Sequence, residues 1–239
     1  MKKLALIALF ATGTLSFLSC SSDDDNGRGN SPEQTLVPVK FVYTGSENGF
    51  EEYEYNTNLY LTKITSTLNA SISQYQFSYI SNKLSKVIED NPGTDEDYEY
   101  IISYEGSDNI KIEQKKNNAS VKIDYIKVNA DGTLRSYDTT SFSYSDGNLV
   151  QKFEAGNATN YEYLAEESLY KNIKTESWVF SYFKISPEAK NKNQLKSIKH
   201  ANMSPTTLSY SDYQVGNLFP KKISTVGPED NFTQTVTYQ

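Results

Sequence analysis

The sequence predicts an all-β domain: an antiparallel meander of about eight tyrosine-containing hairpin repeats, curled into a roll or barrel-like sheet. Two observations carry this reading. A tyrosine returns in one phase along the chain, and each return is followed by turn residues and a second short run of apolar and polar alternation.

The first half of each unit ends in tyrosine two residues after another aromatic or apolar residue. The triplets are "YEY" at Tyr53 to Tyr55, "FSY" at Phe77 to Tyr79, "ISY" at Ile102 to Tyr104 and "IDY" at Ile123 to Tyr125. They continue as "FSY" at Phe142 to Tyr144, "YEY" at Tyr161 to Tyr163, "FSY" at Phe180 to Tyr182 and "LSY" at Leu208 to Tyr210. Successive final tyrosines lie 24, 25, 21, 19, 19, 19 and 28 residues apart, an elastic period that marks a repeat architecture. Residues i, i+2 and i+4 of a strand share a face, so Tyr75, Phe77 and Tyr79 stand together while Gln76 and Ser78 stand opposite. The same rule sets the aromatics of Tyr98 to Tyr104 against Glu99 and Ser103.

The second half is a short strand: "NKLSKV" ending at Val87, "GNLVQKF" at Phe153, "NQLKSI" at Ile198 and "GNLFPKKI" at Ile223. "SDGN" at Ser145 to Asn148 supplies a hairpin turn. Two further strands flank the repeats. "LVPVKFVY" aligns Val37, Val39, Phe41 and Tyr43, and "FTQTVTY" aligns Phe232, Gln234, Val236 and Tyr238 against threonines. Roughly 16 to 18 strands at ~4.8 Å spacing would form a flat sheet near 80 Å wide, beyond the ~10 strands at which open twisted sheets curl or split. The sheet must therefore roll, with a two-sheet sandwich as the alternative. A membrane-spanning barrel fits less well, because the second face carries Glu, Lys and Ser where lipid would demand apolar side chains.

"YSDGNL" at Tyr144 to Leu149 and "YSDYQVGNLFPKKI" at Tyr210 to Ile223 resemble the YD repeats of Rhs-type proteins. They resemble more closely the degenerate form found in uncharacterised Bacteroides-type surface lipoproteins. The resemblance spans Phe41 to Tyr238 and implies a fold and an envelope location, with no activity attached.

The N-terminus points to the same place. Lys2 and Lys3 precede an apolar run from Leu4 to Leu18, the charge-then-apolar order and length of an export signal over residues 1–19. "FLSC" is similar to the lipobox of bacterial lipoproteins, in which the cysteine receives diacylglycerol on sulfur; Cys20 is the expected lipidation site and the outer membrane the expected partner. Cys20 is also the chain's one cysteine, so a disulfide framework is excluded. "SSDDD" after it resembles the signal that sends Bacteroidota lipoproteins to the cell surface. Residues 20–38 read as a solvated acidic tether, and 39–239 as a single β-repeat domain.

A net charge of −7, deeper once Lys2 and Lys3 leave with the signal, argues against nucleic acid as a partner. His200 has no nucleophile or second ligand at motif spacing, so no catalytic residue, metal or cofactor is assigned. "EDNPGTDED" at Glu89 to Asp97 clusters acids around a turn, with further pairs at Glu51 and Glu52 and at Glu166 and Glu167. Such groups bind calcium or hydrolyse glycosides in other settings, but the cluster lacks Asp-x-Asp-x-Asp-Gly order and reads as a solvated hairpin tip. Of the aromatic residues, Trp178 falls out of the tyrosine phase and is the candidate ligand contact. Two function classes follow: a noncatalytic envelope module binding a glycan or envelope protein, and, as the alternative, a carboxylate-dependent hydrolase of extracellular polysaccharide.

Overall fold

The computed structural model describes residues 35–94, 96–185, 190–215 and 218–239, and Thr35–Gln239 form one compact unit. Cys20, Asp95 and the acidic stretch after the cysteine lie outside the described residues. The strands are β1 (Pro38–Gly45), β2 (Gly49–Tyr55), β3 (Leu61–Leu68), β4 (Ser71–Ile80), β5 (Lys83–Asp90), β6 (Tyr98–Tyr104), β7 (Asn109–Lys116) and β8 (Ala119–Val128). They continue as β9 (Leu134–Tyr137), β10 (Thr140–Ser145), β11 (Asn148–Glu154), β12 (Asn157–Glu167), β13 (Asn193–His200), β14 (Thr206–Val215), β15 (Leu218–Val226) and β16 (Asn231–Tyr238). One helix, α1 (Ser177–Tyr182), lies between β12 and β13.

Every strand pairs antiparallel with its chain neighbours, and β16 pairs with β1, so the meander closes into a barrel of 16 strands among the described residues. The rolled sheet is thus the fold, and the sandwich alternative falls. Turn chemistry sets much of the register. The hairpins at Asn69 and Ala70, Ser81 and Asn82, Asn117 and Asn118, Asp146 and Gly147, and Ala155 and Gly156 each place two consecutive residues at positive φ. That is the type I′ geometry whose twist matches paired strands, and it explains the Asn, Asp and Gly at these sites.

The tyrosine phase faces inward. Phe41, Tyr53, Phe77, Tyr100, Phe142, Tyr161 and Val236 are buried in one continuous core. Near one rim the phenols repeat a single interaction: Tyr55 donates to the Pro38 carbonyl at 2.7 Å, Tyr79 to Leu61 at 2.9 Å and Tyr163 to Leu149 at 2.8 Å. Tyr210 does the same to Leu195 and Tyr238 to Pro220, both at 2.7 Å. In each case a tyrosine of an even-numbered strand ties to a carbonyl near the start of the strand before it.

Two triplets depart from the expected phase. "FSY" at Phe180 to Tyr182 is helical, inside α1, where Trp178, Val179, Phe180 and Ser181 are all buried. A helix apolar around its circumference belongs in a core, and this one sits within the barrel. Tyr125 points outward, because β8 is held in the phase that buries Ile126 and Val128, and a one-residue slip exchanges the two faces of a strand.

Residues 168–185 and 190–192 plug the rim at which Val37 and Gln239 meet. The Lys174 amide donates to the Leu59 carbonyl at 2.9 Å, the Trp178 amide to Gly132 at 3.1 Å and the Lys192 amide to Gly147 at 3.0 Å. The Leu61 amide donates to Thr175 Oγ1 at 2.8 Å, and Asn172 Nδ2 to the Leu36 carbonyl at 2.9 Å. Outside, the wall carries ion pairs. Lys40 meets Glu52 at 2.7 Å, Lys63 meets Glu54 at 3.5 Å, Lys86 meets Glu99 at 3.3 Å and Lys196 meets Glu162 at 3.4 Å. Such exposed pairs add little stability, and Val42, Ile72, Ile80, Phe153 and Val226 are exposed alongside them.

Phe142→Ala should cost about 3–5 kcal/mol in denaturant unfolding, whereas Ser143→Ala on the opposite face should stay within about 0.5 kcal/mol. Tyr79→Phe, which deletes only the hydroxyl bound to Leu61, should cost about 1 kcal/mol.

Candidate functional site

Two cavities lie between the plug residues and the barrel wall. The first, about 330 Å³, lies between β1–β3 and β13–β16 beneath Leu169 and Tyr170. Its walls are apolar and aromatic, from Phe41, Tyr53, Leu195, Leu208 and Phe232 among others. Its polar groups are acceptor-rich: Glu47, Glu51, Asp230, Gln194 and Gln234 line it, and no Lys, Arg or His does. The second, about 440 Å³, lies on the β4–β11 side and mixes Lys122 and Lys184 with Glu89, Asp124, Glu154 and several tyrosines. Phe183 lines this cavity and Ile185 the first, so the chain leaving α1 runs between them.

Interior carboxylates are held by phenols. Glu51 Oε2 accepts from Tyr43 at 2.8 Å and Tyr53 at 3.1 Å. Glu89 accepts from Tyr75 at 2.9 Å and Tyr100 at 2.6 Å. Glu176 accepts from Tyr104 at 2.8 Å and from the Trp178 indole at 3.0 Å. Asp124 accepts from Tyr182 at 2.6 Å. Burial, reinforced by these carboxylates, raises the pKa of Tyr43, Tyr75, Tyr100, Tyr104 and Tyr182 well above the ordinary phenol value, so each keeps its proton and remains a donor. At the first cavity, burial and then the nearby charge of Asp230 raise the Glu47 carboxyl above its usual range. Gln194 is 2% exposed; its Nε2 donates to the Glu167 carbonyl at 3.2 Å, while its Oε1 is buried with no hydrogen-bond donor from the protein.

The barrel scatters most of the residues singled out in the sequence. Trp178 is 0% exposed, and its indole is committed to Glu176, so its ring packs the plug instead of offering a face to a ligand. His200 ends β13, exposed, with Nδ1 3.0 Å from Thr159 Oγ1. Glu51 enters the lumen while Glu52 turns out to Lys40. The acidic run at Glu89 divides in the same way: Glu89 is inside, whereas Glu96 and Asp97 sit on the exposed turn, where Asp97 accepts the Asn91 amide at 3.1 Å. Glu167 pairs with Lys171 at 2.7 Å on the surface. Among the described residues no three His, Cys, Asp or Glu side chains converge as a metal site. The lumenal roles of Glu51 and Glu89 were not assigned from sequence, although each stands two residues from a core position, Tyr53 or Val87, and so shares its face.

No family model and no curated protein matches the chain. Among solved structures, a porin-like protein from Bacteroides uniformis is similar at 13% identity and a TM-score of 0.44, covering 87% of this chain and 99% of its own. A porin-like protein from Bacteroides vulgatus is similar at 10% identity and a TM-score of 0.42, covering 85% of this chain and 99% of its own.

The phenols predict how stability responds to base. Below the unfolded phenol pKa of 10.0 both states hold the proton and the phenols add no pH dependence. Above it the unfolded chain ionises while the native barrel does not, so stability falls as pH rises. The phenol contribution to the unfolding free energy should be flat up to about pH 9, then fall by about 1.4 kcal/mol per pH unit for each phenol held protonated; it is superposed on a gain that begins near pH 8, where Lys190, lowered to about 8 by burial and by Lys174, sheds in the barrel a proton that the unfolded chain keeps.

Proposed function

We propose that this protein is a noncatalytic binding module of the bacterial outer membrane surface, anchored through lipid on Cys20, with the first lumenal cavity as its binding site. The observation that carries the reading is a partly open lumenal cavity lined by aromatic rings and by carboxylate and amide groups. The exposed apolar residues, among them Val42, Ile72, Ile80, Phe153 and Val226, are interleaved along the strands with Lys, Glu, Gln, Ser and Thr instead of forming the apolar band of about 25 Å that a membrane-spanning barrel needs, so the barrel reads as standing in water, with the lipid providing attachment. The cavity is of the size and character of small-ligand sites, apolar walls with a few convergent polar groups.

Its chemistry narrows the ligand. Tyr43, Tyr53 and Phe232 contribute rings to its lining, while Glu47, Asp230 and Gln194 Oε1 offer acceptors. A saccharide unit has both an apolar face for rings and many hydroxyl donors for acceptors, which makes a short glycan the ligand of choice.

Leu208→Trp fills the cavity without touching the outer wall. Titration calorimetry of the wild-type protein against short saccharides should give binding that this variant loses while it melts within a few degrees of wild type. Equal binding by the filled variant would remove the cavity from the reading. Separately, cells fed a fatty-acid analogue should label the wild-type chain; Cys20→Ala should lose both label and membrane retention, and label persisting in that variant would overturn the anchor.

A further inference from the structure

Strand β8 wears its faces inside out. Val121, Ile123 and Tyr125 point outward and are 54%, 45% and 59% exposed, whereas Lys122 and Asp124 line the lumen. The same stretch is also an open edge. On one side β7 pairs with it from Ala119 to Lys127, but on the other side β9 pairs only with Ile126, Lys127 and Val128. Strand β9 has four residues and the chain turns back after Tyr137, so Ala119–Tyr125 have no ladder partner on that side among the described residues. An unpaired edge with an apolar outer face is a template for another strand.

We infer that the occupant is the same edge of a second copy of this chain, paired antiparallel about a two-fold axis through Ile123. In that register Val121 lies opposite Tyr125 of the second copy and Ile123 lies opposite its own equivalent, which joins the two apolar faces into one. On the other face Lys122 lies opposite Asp124 of the second copy, twice over by symmetry. Within one chain Lys122 and Asp124 already stand 2.8 Å apart, so the pairing builds an alternating quartet of charges. The neighbouring registers are disfavoured by the same residues. A shift of two residues in one direction sets Lys122 against Lys122, and a shift in the other sets Asp124 against Asp124; like charges directly opposite destabilise a ladder. A segment that completes its own apolar face, satisfies its own charges and rejects its own slipped registers is self-complementary, as a two-fold interface requires.

The test uses the full chain carrying Cys20→Ser, so that one introduced thiol is the sole one. Under mild oxidation Ile123→Cys should form a covalent dimer. Val121→Cys and Tyr125→Cys should each stay monomeric alone and cross-link when mixed, and Val226→Cys, 55% exposed on another strand, should not cross-link. In sedimentation the wild-type chain should show a concentration-dependent dimer, and Ile123→Lys, which sets like charges across the axis, should abolish it at unchanged melting temperature. A wild-type chain monomeric at every concentration, or cross-links that ignore this register, would overturn the proposal. So would a monomer whose β8 amides are protected from hydrogen exchange only by an added, unrelated extended peptide, which would give the edge to a foreign strand.

Discussion

A barrel of about sixteen strands encloses more space than ordinary inward side chains can fill, and the architecture of this protein follows from that excess volume. Smaller barrels close over a core of Val, Leu and Ile. Here the filling comes from two sources: long tyrosine side chains on the strands, and backbone at residues 168–185 and 190–192 that folds into the lumen and carries α1. Each source brings polar atoms indoors, and buried polar atoms must find partners. The strand tyrosines solve this with carbonyls one hairpin away. The plug solves it by lending Thr175, Glu176 and Asn191 side chains to the strand ends and interior rings around it.

The lumenal carboxylates belong to the same solution. Glu51 and Glu89 each take two phenols, and the phenols in turn stay neutral because their surroundings disfavour a second negative charge. The lumen is therefore organised around a few half-buried acids with neutral donors bound to them. Where the filling stops short, between β1–β3 and β13–β16, the leftover space keeps that acceptor-rich character. The cavity and the packing around it obey one rule, which is why the cavity walls look like the rest of the core.

Much of this was legible in the chain. The period-two placement of Tyr75, Phe77 and Tyr79 against Gln76 and Ser78 is what the strand shows, and strand number alone required the sheet to roll. Two features escaped. Phe180 to Tyr182 repeats the "FSY" of two real strands, but no local signal says that the barrel needs a filler there, and a buried helix and a buried strand have similar composition over six residues. In β8, "VKIDYIKV" offers apolar residues in both phases, so periodicity could not choose; pairing of Ile126 to Val128 with β9 made the choice. The candidate site was less readable than the fold, since a lumenal cavity joins Tyr43, Gln194 and Phe232 from strands far apart in sequence and depends on closure.

That closure is peculiar in where it happens. Fifteen of the sixteen seams join strands adjacent in the chain, while the last joins β1 to β16, pairing Phe41 with Val236. Val37 and Gln239 exchange both of their backbone hydrogen bonds at 3.1 Å, so the two ends of the domain complete one another. Local hairpins can form as the chain emerges, but the long-range seam must await its final strand, and non-local pairing is the slow part of folding. A polypeptide halted before Asn231 would be a ribbon with two sticky borders, its plug already made but its wall unclosed. With β16 in place it becomes a loop without a beginning, one in which any of the tight hairpins could serve equally well as the point where the chain starts.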